Sequence, residues 1–282
     1  MEKNMQMEEH VSSTYLYTFF EHHEDWTKPA NLLIYQGDSP TNLNLYKTLS
    51  IVGRDPSITK KGETYYIAIT DPSVDDKRDL TIYTTKDFET FNYFSIAAGL
   101  TNTNSPHVWA PDFFTDLSGQ DWIIVSLNDR GQEANYEGTQ ELSFSPYIIP
   151  INLETMVAGQ PQKLILEDKN YIDGHIFIKD DVYQLMIKDE KNKKLELWES
   201  QDLINWSKVY NQIPNTGRWI EGAFILQDEM TKDYTIYMDQ YVGHEEQTPG
   251  MYYITTSDFE TFSERQVLDT DQRLRHGFGI CL

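Results

Sequence analysis

One short motif returns five times along this chain, and that return limits the fold more than any other feature. Four segments share an acid, small or Pro/Gly residues, an apolar run, a turn and then an aromatic-containing strand. They are Arg54-Asp55-Pro56-Ser57-Ile58, Ala110-Pro111-Asp112-Phe113-Phe114, Ile172-Asp173-Gly174-His175-Ile176-Phe177 and Ile220-Glu221-Gly222-Ala223-Phe224-Ile225. A fifth, Arg275-His276-Gly277-Phe278-Gly279-Ile280, has His where the others have an acid. From Asp55 through Asp112, Asp173 and Glu221 to His276 the steps are 57, 61, 48 and 55 residues; the return through the C-terminus to Asp55 is 61. A period near 56 that holds four short strands predicts a β-propeller of five four-stranded antiparallel blades. Five periods occupy all 282 residues, so residues 1–282 are expected to form one domain.

The apolar residues fit this. They come in short runs rich in Tyr, Ile, Phe, Val and Thr, such as Thr64–Ile69, Leu80–Thr84, Trp122–Leu127, Val182–Ile187 and Tyr234–Met238. Turn residues separate them, and no amphipathic helix of three turns is visible, so the class is all-β. Strands of the first blade are expected to start near Asp55, Tyr65, Leu80 and Asn92. The last blade would join a C-terminal strand, Phe278–Leu282, to three N-terminal ones, Tyr15–Phe20, Leu32–Gln36 and Asn44–Leu49. Such closure removes two free sheet edges. A second repeat, centred on Asp87, Asp202 and Asp258, has intervals implying that a further copy near residue 145 is missing or degenerate.

Charge narrows the function. Lys and Arg total 23 against 45 Asp and Glu, a net charge of −22. Phosphate backbones and anionic membrane surfaces both need clustered cations, so neither nucleic acid nor membrane is expected as a partner. No run approaches 18 apolar residues, and Met1–Ser13 has no apolar core of the secretory kind. The one cysteine, Cys281, forms no internal disulfide and fits a cytoplasmic location. There is no nucleophile elbow, Walker loop, dinucleotide fingerprint or zinc-protease motif.

In a propeller the inner strand of each blade borders the axis. Asp55, Asp112, Asp173, Glu221 and His276 should therefore converge at one mouth of the channel. A single Asp-Pro or Glu-Gly is more simply a turn, as Asp71-Pro72 is expected to be. Four acids in register are harder to explain as turns, because converging carboxylates repel one another. Repulsion pushes their pKa values apart and separates a proton donor from an acceptor.

Read in order, Arg-Asp-Pro-Ser-Ile (54–58), Trp-Ala-Pro-Asp (109–112), Tyr-Ile-Asp-Gly-His-Ile-Phe (171–177), Ile-Glu-Gly-Ala-Phe (220–224) and Arg-His-Gly (275–277) resemble the motifs of glycoside hydrolase family 43. That resemblance implies a five-bladed propeller working with inversion on arabinose- or xylose-containing oligosaccharides, as an α-L-arabinofuranosidase or β-xylosidase does. It implies Asp55 as general base, Glu221 as general acid and Asp173 as the residue that orients the acid and tunes its pKa. It implies an axial water or ion at His276, with no cofactor required and calcium as the candidate ion. The chain departs from the family at Ala223 and Gly174, where Pro is frequent; both changes affect backbone after the acid.

Inversion needs a water between base and anomeric carbon, so the two carboxyls should stand roughly 6.5–9.5 Å apart. Glu221 should have a raised pKa, maintained by a negative Asp173. Further candidates for substrate binding are Asp112, Trp109, Trp219, His276 and Arg275; for each Trp a place in the core is the commoner case in a propeller. Arg54 and Arg218 also flank the motifs, His107 and His175 lie near motif acids, and Phe20 ends a strand that borders the pocket or the core. Loops at Ala97–His107, Asn128–Gln140 and Tyr241–Pro249 are expected to shape the pocket. The competing readings are a non-catalytic sugar- or protein-binding propeller, a phosphorylase, or a fructan-type hydrolase. A binding module has no need of the full trio Asp55, Asp173 and Glu221. A phosphorylase needs a basic anion site, and an Asn-Asp-Pro-Asn start is missing.

Overall fold

The computed structural model describes residues 15–25, 28–71, 79–96, 107–243 and 248–282. The chain begins with β1 (Tyr15–Glu21), β2 (Asn31–Ser39) and β3 (Asn42–Val52). Blade one is β4 (Arg54–Lys61), β5 (Thr64–Thr70), β6 (Leu80–Thr85) and β7 (Asn92–Ile96), starting where the sequence placed them. Blade two has β8 (Val108–Thr115) and β9 (Asp121–Leu127), then a hairpin of β10 (Gln132–Ala134) and β11 (Gln140–Leu142), then β12 (Ser145–Asn152). Its outer edge is two fragments that both pair with β12, namely β13 (Val157–Ala158) and β14 (Gln162–Lys163). Blade three is β15 (Tyr171–Lys179), β16 (Val182–Asp189), β17 (Lys194–Ser200) and β18 (Trp206–Tyr210). Blade four is β19 (Ile220–Gln227), β20 (Tyr234–Gln240), β21 (Gly250–Thr256) and β22 (Gln266–Val267). The last strand, β23 (Leu274–Cys281), pairs with β1 and completes a sheet of order β23-β1-β2-β3. Each inner strand touches the inner strands of both neighbouring blades, so the five sheets form a closed propeller.

The outer turns explain the second repeat. Asp87 accepts the amides of Glu89 and Thr90, Asp202 those of Ile204 and Asn205, and Asp258 those of Glu260 and Thr261. In blade two the same turn between third and fourth strands is built on Asn152, which accepts the Thr155 amide. The degenerate copy is therefore Asn152-Leu153-Glu154-Thr155; an amide oxygen does the carboxylate's work.

The inner strands share one irregularity that builds the site. In each, the ladder to the second strand slips after its first paired motif residue, between Arg54 and Ser57, Trp109 and Asp112, Ile172 and His175, and Glu221 and Phe224. In the closing blade the same slip separates Arg275 from Phe278. Just after the slip begins, Asp55, Ala110, Asp173 and Gly222 have φ of 49°, 46°, 54° and 56°. A left-handed residue inside a bulge turns the next side chains toward the axis. The register defines rings of five. The first holds Arg54, Trp109, Ile172, Glu221 and Arg275, and the second Asp55, Ala110, Asp173, Gly222 and His276. The fourth holds Ser57, Asp112, His175, Phe224 and Phe278. This corrects the alignment read from sequence: Asp112 lies two places beyond the position of Asp55 and Asp173, and Glu221 one place before it.

Candidate active site

A cavity of about 420 Å³ opens where the inner strands begin. All five first-ring residues line it, with Asp55, Asp173 and His276 from the second ring, and with Phe20, Tyr241 and Val242. That volume lies in the range of sites for small ligands. Asp55, Glu221, Asp173, His276, Arg275 and Trp109 thus meet in one space, as the sequence predicted.

Asp112 does not meet them. It is buried on the fourth ring, where Ser57 Oγ donates to its Oδ1 at 2.6 Å and His175 Nδ1 lies 2.7 Å from its Oδ2. This trio forms half of a floor whose other half is Phe224 and Phe278, 5.7 Å apart between ring centroids. Both Asp112 and His175 therefore brace the channel beneath the pocket. Trp219 also stands back. Its Nε1 donates to Tyr136 and its ring leans on Tyr241, which lines the pocket. Trp109 is the tryptophan at the cavity, backed by Phe144 at 4.4 Å. Phe20 does both jobs expected of it, since it is buried in the core and presents its ring to the Arg275 guanidinium. Within the expected pocket loops, 97–106 and 244–247 lie outside the described residues.

The second strands supply four residues that the sequence motifs did not mark. Thr70, Ser126, Lys188 and Asp239, with the already noted Phe20, pair across from the five first-ring residues. Thr70 accepts the Ala110 amide at 2.8 Å, Ser126 the Asp173 amide at 3.1 Å and Asp239 the His276 amide at 3.1 Å. Each supports the second-ring residue of the following blade. Lys188 has only donors and cannot do this. The Gly222 amide turns instead to Asp173 Oδ2, at 3.2 Å, which pins that carboxyl beside Glu221. A signal existed in the sequence: a charge directly after an apolar run, in Met186-Ile187-Lys188 and Tyr237-Met238-Asp239.

The electrostatics differ from expectation at the acid. Lys188, 1% exposed, puts Nζ 3.0 Å from Glu221 Oε2 and 2.7 Å from Glu190. Arg275 places Nη2 2.6 Å from Glu221 Oε1 and Nε 2.5 Å from Asp239. Burial works to raise the Glu221 pKa, but Lys188, Arg275 and His276 together bring it below the ordinary value. Asp173 moves the other way. Burial raises it first, His276 opposes, Glu221 adds repulsion, and the result is about 7. The two carboxyls separate as expected, with the order exchanged: Asp173 has the higher proton affinity and Glu221 the lower. Burial alone would raise Asp55, but the hydrogen bond and charge of His276, with Arg54, hold it far below the usual carboxylate range. Asp55 is thus a carboxylate at any working pH, as a base must be.

His276 sits between the acids, with Nδ1 3.4 Å from Asp55 and 4.0 Å from Asp173. Burial lowers its pKa, yet Asp55, Asp173 and Glu221 raise it to about 9. A protonated imidazole has no lone pair for a cation. Among the described residues no group of three His, Cys, Asp or Glu could hold a metal ion. A small cavity of about 10 Å³ below His276, also lined by Asp112 and Ser57, has room for one water, so this donor set fits water better than calcium.

A family model described as a probable glycosyl hydrolase domain, of the group related to glycoside hydrolase family 43, matches residues 47–277. No curated protein sequence matches the chain. Among solved structures, a family 43 β-1,3-galactosidase superposes with a TM-score of 0.63 at 12% identity, over 86% of this chain and 54% of its own. The chain thus spans about half the length of that protein. An α-L-arabinofuranosidase from Clostridium thermocellum gives 0.61 at 9% identity, over 91% of both chains. The arabinanase of Bacillus subtilis gives 0.55 at 18% identity, over 74% of both. At these identities the superpositions speak for the fold alone.

Proposed function

The chain belongs to the glycosyl hydrolase 43-related family, and from that premise we propose that it is an inverting glycosidase acting on arabinose- or xylose-containing oligosaccharides. The observation that carries this reading is the placing of Asp55, Asp173 and Glu221 around one cavity, with their proton affinities driven apart. Asp55 takes a proton from water as that water attacks the anomeric carbon. The leaving oxygen receives a proton from the Asp173–Glu221 pair on the far side. Trp109 offers a flat apolar face to the sugar. The single cysteine makes a reducing, cytoplasmic setting and short imported substrates part of the proposal.

Two routes for the proton follow. In the first, Glu221 is the donor, and substrate binding displaces Arg275 or Lys188 so that the pair's proton moves to Glu221. In the second, Asp173 donates directly and Glu221 remains a carboxylate. The second is favoured by the cations on both Glu221 oxygens.

The test is hydrolysis of a panel of nitrophenyl pentosides and arabino- and xylo-oligosaccharides, with product anomers followed by NMR. Cleavage with inverted configuration is expected. Retained configuration would overturn the mechanism, and no cleavage of any member would overturn the substrate class. Nitrophenyl leaving groups need little protonation, so the true donor's amide variant keeps activity on them while losing it on oligosaccharides.

A further inference from the structure

Three of the five first-ring residues are charged, and they stand on consecutive blades: Glu221, Arg275 and Arg54. Glu221 and Arg275 satisfy each other, and Arg275 also holds Asp239. On the ring beneath, His276 serves Asp55 and Asp173. Arg54 is different. It lines the cavity, its Nε is buried with no hydrogen-bond partner, and it forms no ion pair among the described residues. Its sequence neighbour Asp55 is already bonded to His276 and feels Arg54 through its charge.

A buried donor without a partner costs stability unless a ligand completes it. A guanidinium is a planar fork whose best partner is a carboxylate bound through two parallel N–H···O contacts. The other first-ring neighbour of Arg54 is Trp109, which lines the same cavity and is backed by Phe144. A sugar lying on Trp109 presents its exocyclic C6 group to one side, within the same ring of residues as Arg54. The acids of this pocket can serve hydroxyl groups, but they repel an anion; Arg54 alone on this wall is placed to select one.

We propose that Arg54 is the recognition site for a sugar carboxylate, and that the oligosaccharide bound here contains a hexuronate residue beside its pentose. This rests on the reading of the cavity as the sugar pocket, though not on the reaction that follows.

Binding separates the two. Titration calorimetry of the intact chain compares D-glucuronate with D-glucose, which differ only at C6, in low and high salt. Glucuronate is expected to bind about tenfold or more tighter, as a charge-assisted pair allows, with the advantage shrinking in salt. Arg54→Gln should erase the preference and Arg54→Lys should keep part of it. Equal binding of the two sugars, no binding of either, or a preference that survives Arg54→Gln overturns the proposal. Inorganic phosphate displacing glucuronate at matching affinity would assign the fork to phosphate and overturn it as well. Because the comparison of the two sugars uses the unaltered protein, a misfolded variant leaves the result decisive. Turnover of neutral pentosides without any uronate preference would leave the hydrolase reading standing while this one fell.

Discussion

In blade two the inner strand starts Trp109-Ala110-Pro111-Asp112; in blade four it starts Glu221-Gly222-Ala223-Phe224. Their backbones match, with the same slipped ladder and the same left-handed second residue. Their side chains are inverted. Blade two gives the pocket an aromatic face and sends its acid to the floor. Blade four gives the pocket an acid and sends an aromatic ring to the floor. The preceding second strand follows the same division, with the neutral Thr70 before blade two and the cation Lys188 before blade four. The bulge is therefore a neutral presenting device. What each blade contributes is decided by a few side chains at fixed steps from the slip.

The comparison breaks hardest at the first ring. Glu221→Gln is expected to lower kcat on oligosaccharides by about 10²–10⁴-fold with folding intact, because both routes draw the proton from the Asp173–Glu221 pair and the amide removes one of its carboxyls. Trp109→Ala, the matching change in blade two, should chiefly raise KM, because a stacking face holds ground state and transition state alike. Steady-state kinetics of the two variants on one substrate decide it. If Trp109→Ala reduces kcat as severely as Glu221→Gln, the chemistry is not confined to the charged blades.

The next contrast lies behind the first ring. Lys188→Met leaves Glu190 and Glu221 without their shared buried cation and is expected to cost about 3–5 kcal/mol of stability. Thr70→Val removes the acceptor of the Ala110 amide and the hydroxyl that bonds the Asp55 carboxylate, and should cost about 1–3 kcal/mol. Denaturant melts read both. The pH profile adds a sign. Lys188 lowers the pKa values of Glu221 and Asp173. Its loss raises both, so the proton of the pair is kept longer and the alkaline limb of kcat/KM moves to higher pH. A limb that stays in place would show that the Asp173–Glu221 pair is not the proton source.

Most of this was readable in the chain, and the unread part has a physical cause. The blade count, the strand starts in blade one and the closing strand followed from periodicity, because each blade needs the same alternation to bury its faces. The trio Asp55, Asp173 and Glu221 followed from motif order. The exact register did not, since a bulge adds a residue without changing composition; Asp112 and Glu221 were placed in one row although they sit three ring positions apart. The protonation states were hidden for a related reason. Glu221 is governed by Lys188, 33 residues away on the previous blade, and only a ring index applied to the second strands would have paired them. Asn152 escaped because the turn it builds accepts an amide oxygen as readily as a carboxylate.

The smallest effect is expected at the second ring, where the same left-handed position is Ala110 in blade two and Gly222 in blade four. An L-residue there costs about 1–2 kcal/mol, and glycine avoids that cost while losing roughly 0.5–1 kcal/mol to unfolded-state freedom. Ala110→Gly should therefore leave stability within about 1 kcal/mol of the parent and barely alter kcat. Gly222→Ala faces the same φ, but its new Cβ would lie 2.3 Å from His276 Cγ. The imidazole that orders Asp55 and Asp173 must then move, so activity should fall far more than stability alone explains. Thermal melts and kinetics of the pair test whether equal backbones carry unequal neighbours. If Gly222→Ala is as mild as Ala110→Gly, His276 is free to shift without consequence, and its place between the two acids does not organise the site.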